Sequence, residues 1–321
     1  MNIELGTPIS QLIKLLNKYH VLFDKEIIKE VTKAGEGNMN VVLRVKTNHR
    51  SFIFKQSRPY IQKYQDILAP INRIDVEYNF YKSINIESNY NFPKILNYCK
   101  QDYFMIQEDL GSLEDFSTIY SRKKISNSSI IKLTKVLNDI HSSKYDVNYP
   151  KNSELKKLNH QHIFILPFVK ENGFSLNSIQ PGLENLAHLF INDISLINKS
   201  KTIGERYLDT GETLLHGDFY PGSWIRNKEE IYVIDPEFSF LGDLEFDLGV
   251  FIAHIIIATQ EKKYLPDIIS YYSGSVDVEL INNYTGIEII RRIIGLAQLP
   301  INLSIVEKEK LLNFSKGLIL N

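Results

Sequence analysis

The chain has 321 residues, a length that suits two packed lobes better than one simple core. Apolar residues make up 43% and charged residues 23%, a composition that excludes gross disorder. The formal net charge is −1 and there is no long basic run, so nothing indicates a nucleic-acid or acidic-membrane surface.

The first part of the chain is rich in strand patterns. A helical spacing of apolar residues at 10–20 is followed by β-like runs at 27–31, 41–45 and 51–55, a helical segment at 71–84, and strand-like runs at 94–100 and 103–110. A glycine-containing turn, 34–40, separates the first two strands. We predict that residues 1–110 form an N-terminal, ATP-binding lobe.

Residues 111–321 follow a mainly helical pattern. Helix-like segments cover 126–142, 182–198, 244–260 and 284–298, and one strand-like pair, 213–218 and 230–235, interrupts them. We interpret this pair as one small β-hairpin. A β-rich lobe, a linker at 108–111 and a helical lobe with one hairpin are the layout of the protein-kinase-like fold. The prediction is therefore an α+β, bilobal protein whose C-terminal lobe is catalytic and binds the substrate.

Several features predict a cytoplasmic protein. The one cysteine, Cys99, excludes an intramolecular disulfide, which fits a reducing compartment. The start of the chain lacks the basic and apolar runs of a signal peptide. The most apolar stretch, 248–258, is too short to span a bilayer and contains His254, so we predict a buried helix and no membrane association.

The segments HGDFYPGSW at 216–224 and VIDPEF at 233–238 indicate phosphoryl transfer. This reaction requires a carboxylate that orients the attacking hydroxyl and oxygen ligands that hold Mg²⁺ across the phosphates. We predict Asp218 as the catalytic base and Asp235 and Glu237 as metal ligands, at the ends of two neighbouring strands. A strand–turn–strand whose acids only cap turns is the minority interpretation, because HGD, a glycine turn and an acid-terminated apolar strand occur together.

A phosphate-binding region is predicted in the N-terminal lobe. The glycine turn offers backbone N–H groups to phosphates. Its candidate residues are Gly35, Gly37, Asn38 and Asn40. Lys55 ends the third strand and Glu77 lies on the next helix, which is the order of the phosphate-binding lysine and its glutamate in kinase-like lobes. Taken alone, a glycine-containing turn is usually a plain hairpin turn, and a lysine at the end of a strand is usually a solvated edge charge.

The linker MIQEDLGS, 105–112, is predicted to bind the adenine of the nucleotide. In this fold the contacts are mostly made by backbone groups. The candidate residues are Gln107, Glu108, Asp109 and Leu110. An ordinary strand-to-helix connection would look much the same.

Arg291 and Arg292 lie on a helix with apolar flanks. Glu288 precedes Arg292 by four residues, so an ion pair within the helix is one interpretation. Adjacent residues cannot share one helix face, so we predict that one arginine is structural and the other faces a polar substrate.

Two more residues are predicted to support the turn around Asp218. His216 is expected to hold the turn through a hydrogen bond. Asp247 is expected to support it from behind, with a helix N-cap as an equal alternative.

Together these residues resemble methylthioribose kinases, within the aminoglycoside phosphotransferase and choline kinase-like superfamily. The generic aminoglycoside-kinase signature has an asparagine five residues after the aspartate of HGD, whereas this position is Ser223 here, as in the HGDxxxGS form of methylthioribose kinases. DPEF at 235–238 also matches them. Further matching stretches are GEGNMNVV at 35–42, KQSRPY at 55–60, NSELKKL at 152–158, FSFLGDLEFDLG at 238–249 and IIRRIIGLAQ at 289–298.

The resemblance implies an enzyme that uses ATP and Mg²⁺ to phosphorylate the 1-hydroxyl of 5-methylthioribose in methionine salvage. It implies Asp218 as the base, Asp235 and Glu237 at the metal, and Lys55 with the 35–40 turn at the phosphates. The arginine pair matches the family's pair at the sugar site. Members are homodimers, so a homodimer with a small-molecule sugar substrate is implied.

The chain departs from the family next to the catalytic aspartate. The family usually reads HGDLHTGS, and this chain has Phe219, Tyr220 and Pro221 instead. We predict that Tyr220 and Trp224 narrow or reshape the sugar pocket. Two alternatives follow: a phosphotransferase for an aminoglycoside or another small alcohol, and a catalytically inactive ATP-binding module. The arginines disfavour a polycationic aminoglycoside, and the retained Lys55, Asp218 and Asp235 disfavour an inactive module.

Overall fold

The computed structural model describes residues 1–35, 39–84, 91–111, 113–170, 172–227 and 230–321. Helix α1 (Ile9–Lys18) precedes a five-stranded antiparallel sheet of β1 (Ile28–Lys33), β2 (Val41–Thr47), β3 (Ser51–Gln56), β6 (Ile95–Cys99) and β7 (Phe104–Glu108). The strand order is β1-β2-β3-β7-β6. A short hairpin, β4 (Tyr60–Ile61) and β5 (Tyr64–Leu68), and helix α2 (Arg73–Ser83) connect β3 to β6.

One face of this sheet is apolar because strand side chains alternate between faces. Val41, Leu43 and Val45 on β2 are buried with Leu12 and Leu16 of α1 in a core separate from that of the helical lobe. The other face of the sheet lines a cleft, so the same alternation that builds the core also sends the neighbouring side chains of β2 and β3 toward the functional site.

The second lobe is mainly helical. Its helices are α3 (Ile119–Arg122), α4 (Asn127–His141), α5 (Ser153–His160), α6 (Leu183–Ile191), α7 (Ile194–Leu208), α8 (Leu244–Thr259), α9 (Tyr264–Tyr271), α10 (Val278–Ile294) and α11 (Ile305–Leu320). Helix α8 is buried from Glu245 to Thr259, which is typical of a central core helix. Helix α10 packs against both α8 and α11. Across the described ranges, no helix is long and apolar enough to cross a membrane.

The predicted β-hairpin of 213–218 and 230–235 is wrong. Strand β9 (Thr213–Leu215) pairs with β12 (Phe240–Gly242), whereas β11 (Glu230–Val233) pairs with β10 (Trp224–Asn227). A further short strand, β8 (Glu114–Asp115), pairs with β10 on the side opposite β11. Residues 216–223, with a 3₁₀ turn at Pro221–Ser223, separate the two sheets, so the chain reaches β11 through β10.

Two predicted helices also differ in extent. The segment 182–198 is two helices because Asp193 accepts a hydrogen bond from the Leu196 N–H at 3.0 Å and starts α7 there. The helix predicted at 284–298 begins earlier, after the N-cap Asp277, and ends before Gly295.

Candidate functional site

Asp218 lies on a turn whose backbone requires glycine. Gly217 has φ +83°, and a Cβ atom there would lie 2.2 Å from the carbonyl oxygen of Phe238. The Asp247 carboxylate accepts hydrogen bonds from the N–H groups of His216 at 2.7 Å and Gly217 at 3.0 Å. The predicted support from behind by Asp247 is thus confirmed, and the N-cap position of α8 belongs to Asp243 instead.

The His216 side chain also holds the turn, as predicted. Its Nδ1 accepts from the Asp218 N–H at 3.3 Å, and its Nε2 lies 3.0 Å from the carbonyl oxygen of Ile234, the residue before Asp235. Burial lowers the pKa of His216, so the ring is neutral and one nitrogen can accept while the other donates. His216 therefore links the Asp218 turn to the segment that carries Asp235.

We expect Gly217→Ala to reduce both stability and turnover. The positive φ costs an alanine about 1–3 kcal/mol of backbone strain, and the contact with Phe238 displaces the Asp218 turn. Chemical denaturation and steady-state kinetics on the same preparation measure the two effects. An alanine variant with wild-type kcat would show that the turn tolerates the displacement. Gly317→Ala on α11 is the control, since a Cβ atom there meets only Asn321 Nδ2, at 3.7 Å, and Gly317 does not line the cleft.

The Asp218 carboxylate is partly shielded, with 24% of its side chain exposed. Burial raises the pKa of Asp218 to about 6, although Arg292 and Arg291 favour its charged form. The guanidinium of Arg292 approaches Asp218 Oδ1 at 3.6 Å. A carboxylate with a pKa near neutrality on a cleft wall suits a general base.

The Lys55 ammonium joins carboxylates from two distant parts of the chain. It lies 2.8 Å from Glu77 Oε1 and 2.6 Å from Asp235 Oδ1, and it is only 2% exposed. Burial opposes its charge, but Asp235, Glu77 and Glu237 together raise the pKa of Lys55 above its ordinary value. Burial likewise raises the pKa of Glu77 to about 7, against the attraction of Lys55. The structure thus brings Lys55, Glu77 and Asp235 together.

Glu237 lies beside this group but has partners of its own. Its Oε2 accepts hydrogen bonds from Asn40 Nδ2 at 2.8 Å and from Arg73 Nε at 3.1 Å. Burial raises the pKa of Glu237, while Lys55 and Arg73 oppose the rise. Asn40 was predicted to bind phosphates as part of the glycine turn, which offers backbone groups, and its side chain holds Glu237. Gly37 and Asn38, the other predicted phosphate-turn residues, lie outside the described residues.

The cluster formed by Lys55, Arg73, Glu77, Asp235 and Glu237 has a formal net charge of −1. Glu77, Asp235 and Glu237 face Lys55 and Arg73. In the described part of the chain, no three His, Cys, Asp or Glu side chains form a ready-made metal site. Two carboxylates on a cleft wall nevertheless fit Mg²⁺, which keeps several waters and binds through one or two carboxylates together with substrate phosphates. Asp235 and Glu237 are the residues that would hold it.

A cleft of about 710 Å³ lies between the lobes and contains Asp218, Asp235 and Glu237 in its wall. Apolar side chains of both lobes face it, among them Val42, Ile53, Ile225 and Ile234. The predicted linker residues Gln107, Glu108, Asp109 and Leu110 line it as well, as does Gly35. The volume is in the range of small-molecule sites, and the apolar walls suit a flat ring such as adenine.

The linker is tied to the sheet by the Asp109 side chain. Arg44 Nε donates to both oxygens of Asp109, at 3.1 and 2.9 Å, and Arg44 Nη2 donates to the Gly111 carbonyl at 2.6 Å. The Ser51 hydroxyl donates to the same carboxylate. Asp109 therefore stabilises the linker conformation with its side chain and has only backbone groups to offer a nucleotide.

Both arginines of α10 bind Glu288, so the premise that adjacent residues cannot share a partner on one helix face is wrong. Arg291 Nη1 lies 2.8 Å from Glu288 Oε2, and Arg292 Nε lies 2.6 Å from Oε1. Positions three and four residues after a glutamate lie on its side of a helix, which explains the convergence. Arg292 alone also reaches Asp218 and lines the cleft.

A buried relay of hydrogen bonds that was not predicted lies behind Arg292. His254 Nε2 is 3.1 Å from Glu288 Oε1, and His254 Nδ1 is 2.5 Å from the Tyr120 hydroxyl. Burial lowers the pKa of His254 to about 4, so the ring is neutral. The relay fixes Glu288, which in turn fixes the guanidinium beside Asp218. The sequence signal was a histidine inside the apolar stretch 248–258.

Tyr220 and Trp224, the two residues predicted to narrow or reshape the sugar pocket, lie in different places. Tyr220 lines the cleft, and the Arg292 guanidinium lies 5.3 Å from its ring centroid. Trp224 is fully buried and packs against Phe116, Phe219 and Phe251. The prediction that Trp224 shapes the sugar pocket is therefore wrong, because its ring fills the core beneath the turn.

Comparison with known proteins shows which families the chain is similar to. Residues 204–281 match the phosphotransferase enzyme family, APH. The methylthioribose kinase of Exiguobacterium sibiricum is 27% identical over 242 residues, which cover 70% of this chain and 60% of that protein. The enzyme of Escherichia coli is 26% identical, with 71% and 58% covered. These matches span less than two thirds of either relative, whereas a Bacillus cereus methylthioribose kinase matches at 24% identity over 93% of this chain and 87% of its own.

Solved structures share the fold at lower identity. Choline kinase LicA from Streptococcus pneumoniae has a TM-score of 0.55 at 15% identity and covers 96% of this chain and 99% of that one. Spectinomycin phosphotransferase in complex with ADP and spectinomycin has a TM-score of 0.54 at 17% identity, covering 95% and 93%. The predicted α+β, protein-kinase-like fold is confirmed. The chain thus resembles the methylthioribose kinases, within the aminoglycoside phosphotransferase and choline kinase-like superfamily whose fold it has.

Proposed function

We propose that this protein is an ATP- and Mg²⁺-dependent kinase of a small sugar, with 5-methylthioribose as the acceptor. The observation that carries the proposal is the meeting of Lys55 with Asp235 on the wall of a cleft that also contains Asp218. The names of the relatives support the sugar. The family resemblance supports the 1-hydroxyl as the acceptor group, methionine salvage as the pathway, and a cytoplasmic homodimer as the form of the protein.

Asp218 would act on the acceptor hydroxyl. Its carboxylate orients the O–H group and takes the proton as the oxygen forms a bond to the γ-phosphorus of ATP, while the bond from that phosphorus to the β-phosphate oxygen breaks and ADP leaves. Lys55 binds phosphate oxygens and is itself held by Glu77. Asp235 and Glu237 would hold Mg²⁺, which neutralises charge on the transferring phosphate when it is bound.

The walls near Asp218 favour a neutral acceptor. Arg292 is a fixed cation there, and Tyr220 lies across it. Leu299 and Pro300 add apolar surface to the same cleft. A sugar that carries an apolar substituent fits these groups, whereas a polycationic aminoglycoside would lie against the Arg292 charge at a cost in binding energy.

An acceptor screen tests the proposal. Purified protein with ATP and Mg²⁺ is incubated with 5-methylthioribose, with ribose, with two aminoglycosides and with choline, and ADP release is measured. We expect release that depends on 5-methylthioribose. ADP release with an aminoglycoside but not with 5-methylthioribose would show that the proposed acceptor is wrong. Nucleotide binding without turnover on any acceptor would favour an inactive ATP-binding module.

We expect kcat/KM to rise with pH through about pH 6. The folded-state pKa of Asp218 is raised to about 6, so the carboxylate is protonated below that pH and cannot accept a proton. Initial rates between pH 5 and 8 should increase about tenfold per pH unit below pH 6 and level off above it. ADP affinity over the same range is the control. A flat profile would rule out Asp218 as the titrating base.

A further inference from the structure

The Arg73 guanidinium is fixed by backbone groups before it meets Glu237. Its side chain is fully buried, and all five of its N–H donors are used. Nη1 donates to the carbonyls of Arg58 and Pro70 at 2.7 and 2.9 Å, and Nη2 to those of Met39 and Tyr60 at 2.6 and 3.3 Å. The remaining donor, Nε, is left for Glu237. These contacts therefore hold the Arg73 side chain in place, and Glu237 accepts the hydrogen bond from its one remaining N–H group.

Asn40 makes the second fixed contact with the same carboxylate. Its side chain is 2% exposed, and its Oδ1 accepts from the Ser57 hydroxyl at 3.0 Å, which orients the amide so that Nδ2 points at Glu237. Both donors bind Oε2 of Glu237. Within the described residues, no donor is hydrogen-bonded to Oε1, which leaves that oxygen available to a cation.

We propose that Arg73 and Asn40 are positioning residues that orient Glu237 for the divalent cation of the nucleotide. The inference rests on the proposed function and adds two residues of the N-terminal lobe to a metal site whose ligands lie in the other lobe. Residues that orient a metal ligand typically change metal affinity or activity about 10–100-fold when they are replaced.

The same contacts connect the metal site to the phosphate turn. Met39, whose carbonyl accepts from Arg73, and Asn40 are the last two residues of that turn and directly precede β2. Both contacts with Glu237 thus involve the end of the turn, so the Mg²⁺ requirement should respond to replacement of either Arg73 or Asn40.

The test measures Mg²⁺ dependence without turnover. The thermal midpoint of the full-length protein is followed at fixed ADP while the Mg²⁺ concentration is raised, because binding to the native state raises the midpoint. We expect Asn40→Ala and Arg73→Lys to need about tenfold more Mg²⁺ for half of the rise. Lysine keeps the charge of Arg73 but loses its planar set of donors. The Mg²⁺ concentration for half-maximal turnover should increase in parallel.

Arg50→Lys is the matched control. Arg50 is also an arginine of the N-terminal lobe that donates to a carboxylate, that of Glu26, and to a backbone carbonyl, that of Val21, but its hydrogen bonds involve neither Arg73 nor Glu237. It should lower the midpoint without changing the Mg²⁺ requirement. An unchanged requirement in Asn40→Ala would overturn the inference even if Arg73→Lys fails to fold. A wild-type protein that shows no Mg²⁺-dependent rise with ADP would instead refute the proposed function.

Discussion

Replacing Asp218 with asparagine is expected to lower kcat by roughly 10²–10⁴-fold, the usual contribution of a general base. The amide keeps the size of the side chain but cannot take a proton from the acceptor. The turn should survive, because it is held through backbone groups by Asp247 and His216. Steady-state kinetics with the acceptor, together with ADP binding by thermal shift, measure the two consequences.

Asp115→Asn is a suitable comparison for that variant. Asp115 lines the same cleft, but its carboxylate caps the Ser117 N–H at 2.8 Å. The Asp115→Asn variant should show no comparable loss of kcat. If Asp218→Asn keeps wild-type turnover, or if it loses ADP binding together with turnover, the proposed role of Asp218 as base is contradicted.

Replacing Lys55 with methionine is expected to lower stability as well as turnover. The variant leaves the fully buried Glu77 without its ammonium partner, a kind of change that typically costs about 3–5 kcal/mol of the free energy of unfolding. The loss should be smaller at acidic pH. The pKa of Glu77 is already raised by burial, and without Lys55 the carboxyl takes up a proton more readily. Urea denaturation at pH 5.5 and pH 8 measures this difference.

Adding Glu77→Gln to Lys55→Met separates stability from chemistry. The double variant no longer buries an unpaired carboxylate, so it should recover part of the lost stability. Turnover should stay low, because the double variant lacks the lysine proposed to bind the phosphates. A double variant that is as unstable as the single variant would show that Lys55 supports the fold by packing, and recovered turnover would remove Lys55 from the site.

Order along the chain was enough to predict the lobes and the meeting of Lys55, Glu77 and Asp235. Lys55 lies on β3, Glu77 lies on α2 and Asp235 comes two residues after β11, and the fold fixes where such strongly patterned segments lie. Strand pairing was harder, because a three-residue strand such as β9 carries too little pattern to identify its partner. Its true partner, β12, lies beyond an intervening hairpin.

Arg73 shows why the supporting groups were missed. In the sequence it precedes Glu77 by four residues on one helix, so local spacing predicts a pair between them. The structure instead directs Arg73 to Glu237, 164 residues away, and leaves Glu77 to Lys55. Long-range partners of this kind have no local signature. Helix α11, which was not predicted, begins with a local feature of this kind, because Ser304 and Glu307 form a capping box.

The position of Trp224 provides an intrinsic optical reporter. It is the one tryptophan of the chain, and it follows the Asp218 turn immediately while its indole lies among three aromatic rings. Fluorescence excited at the indole therefore originates from a single dry location beneath the catalytic segment. Emission should shift to longer wavelength as that packing opens, so the local integrity of unlabelled protein can be followed in a cuvette.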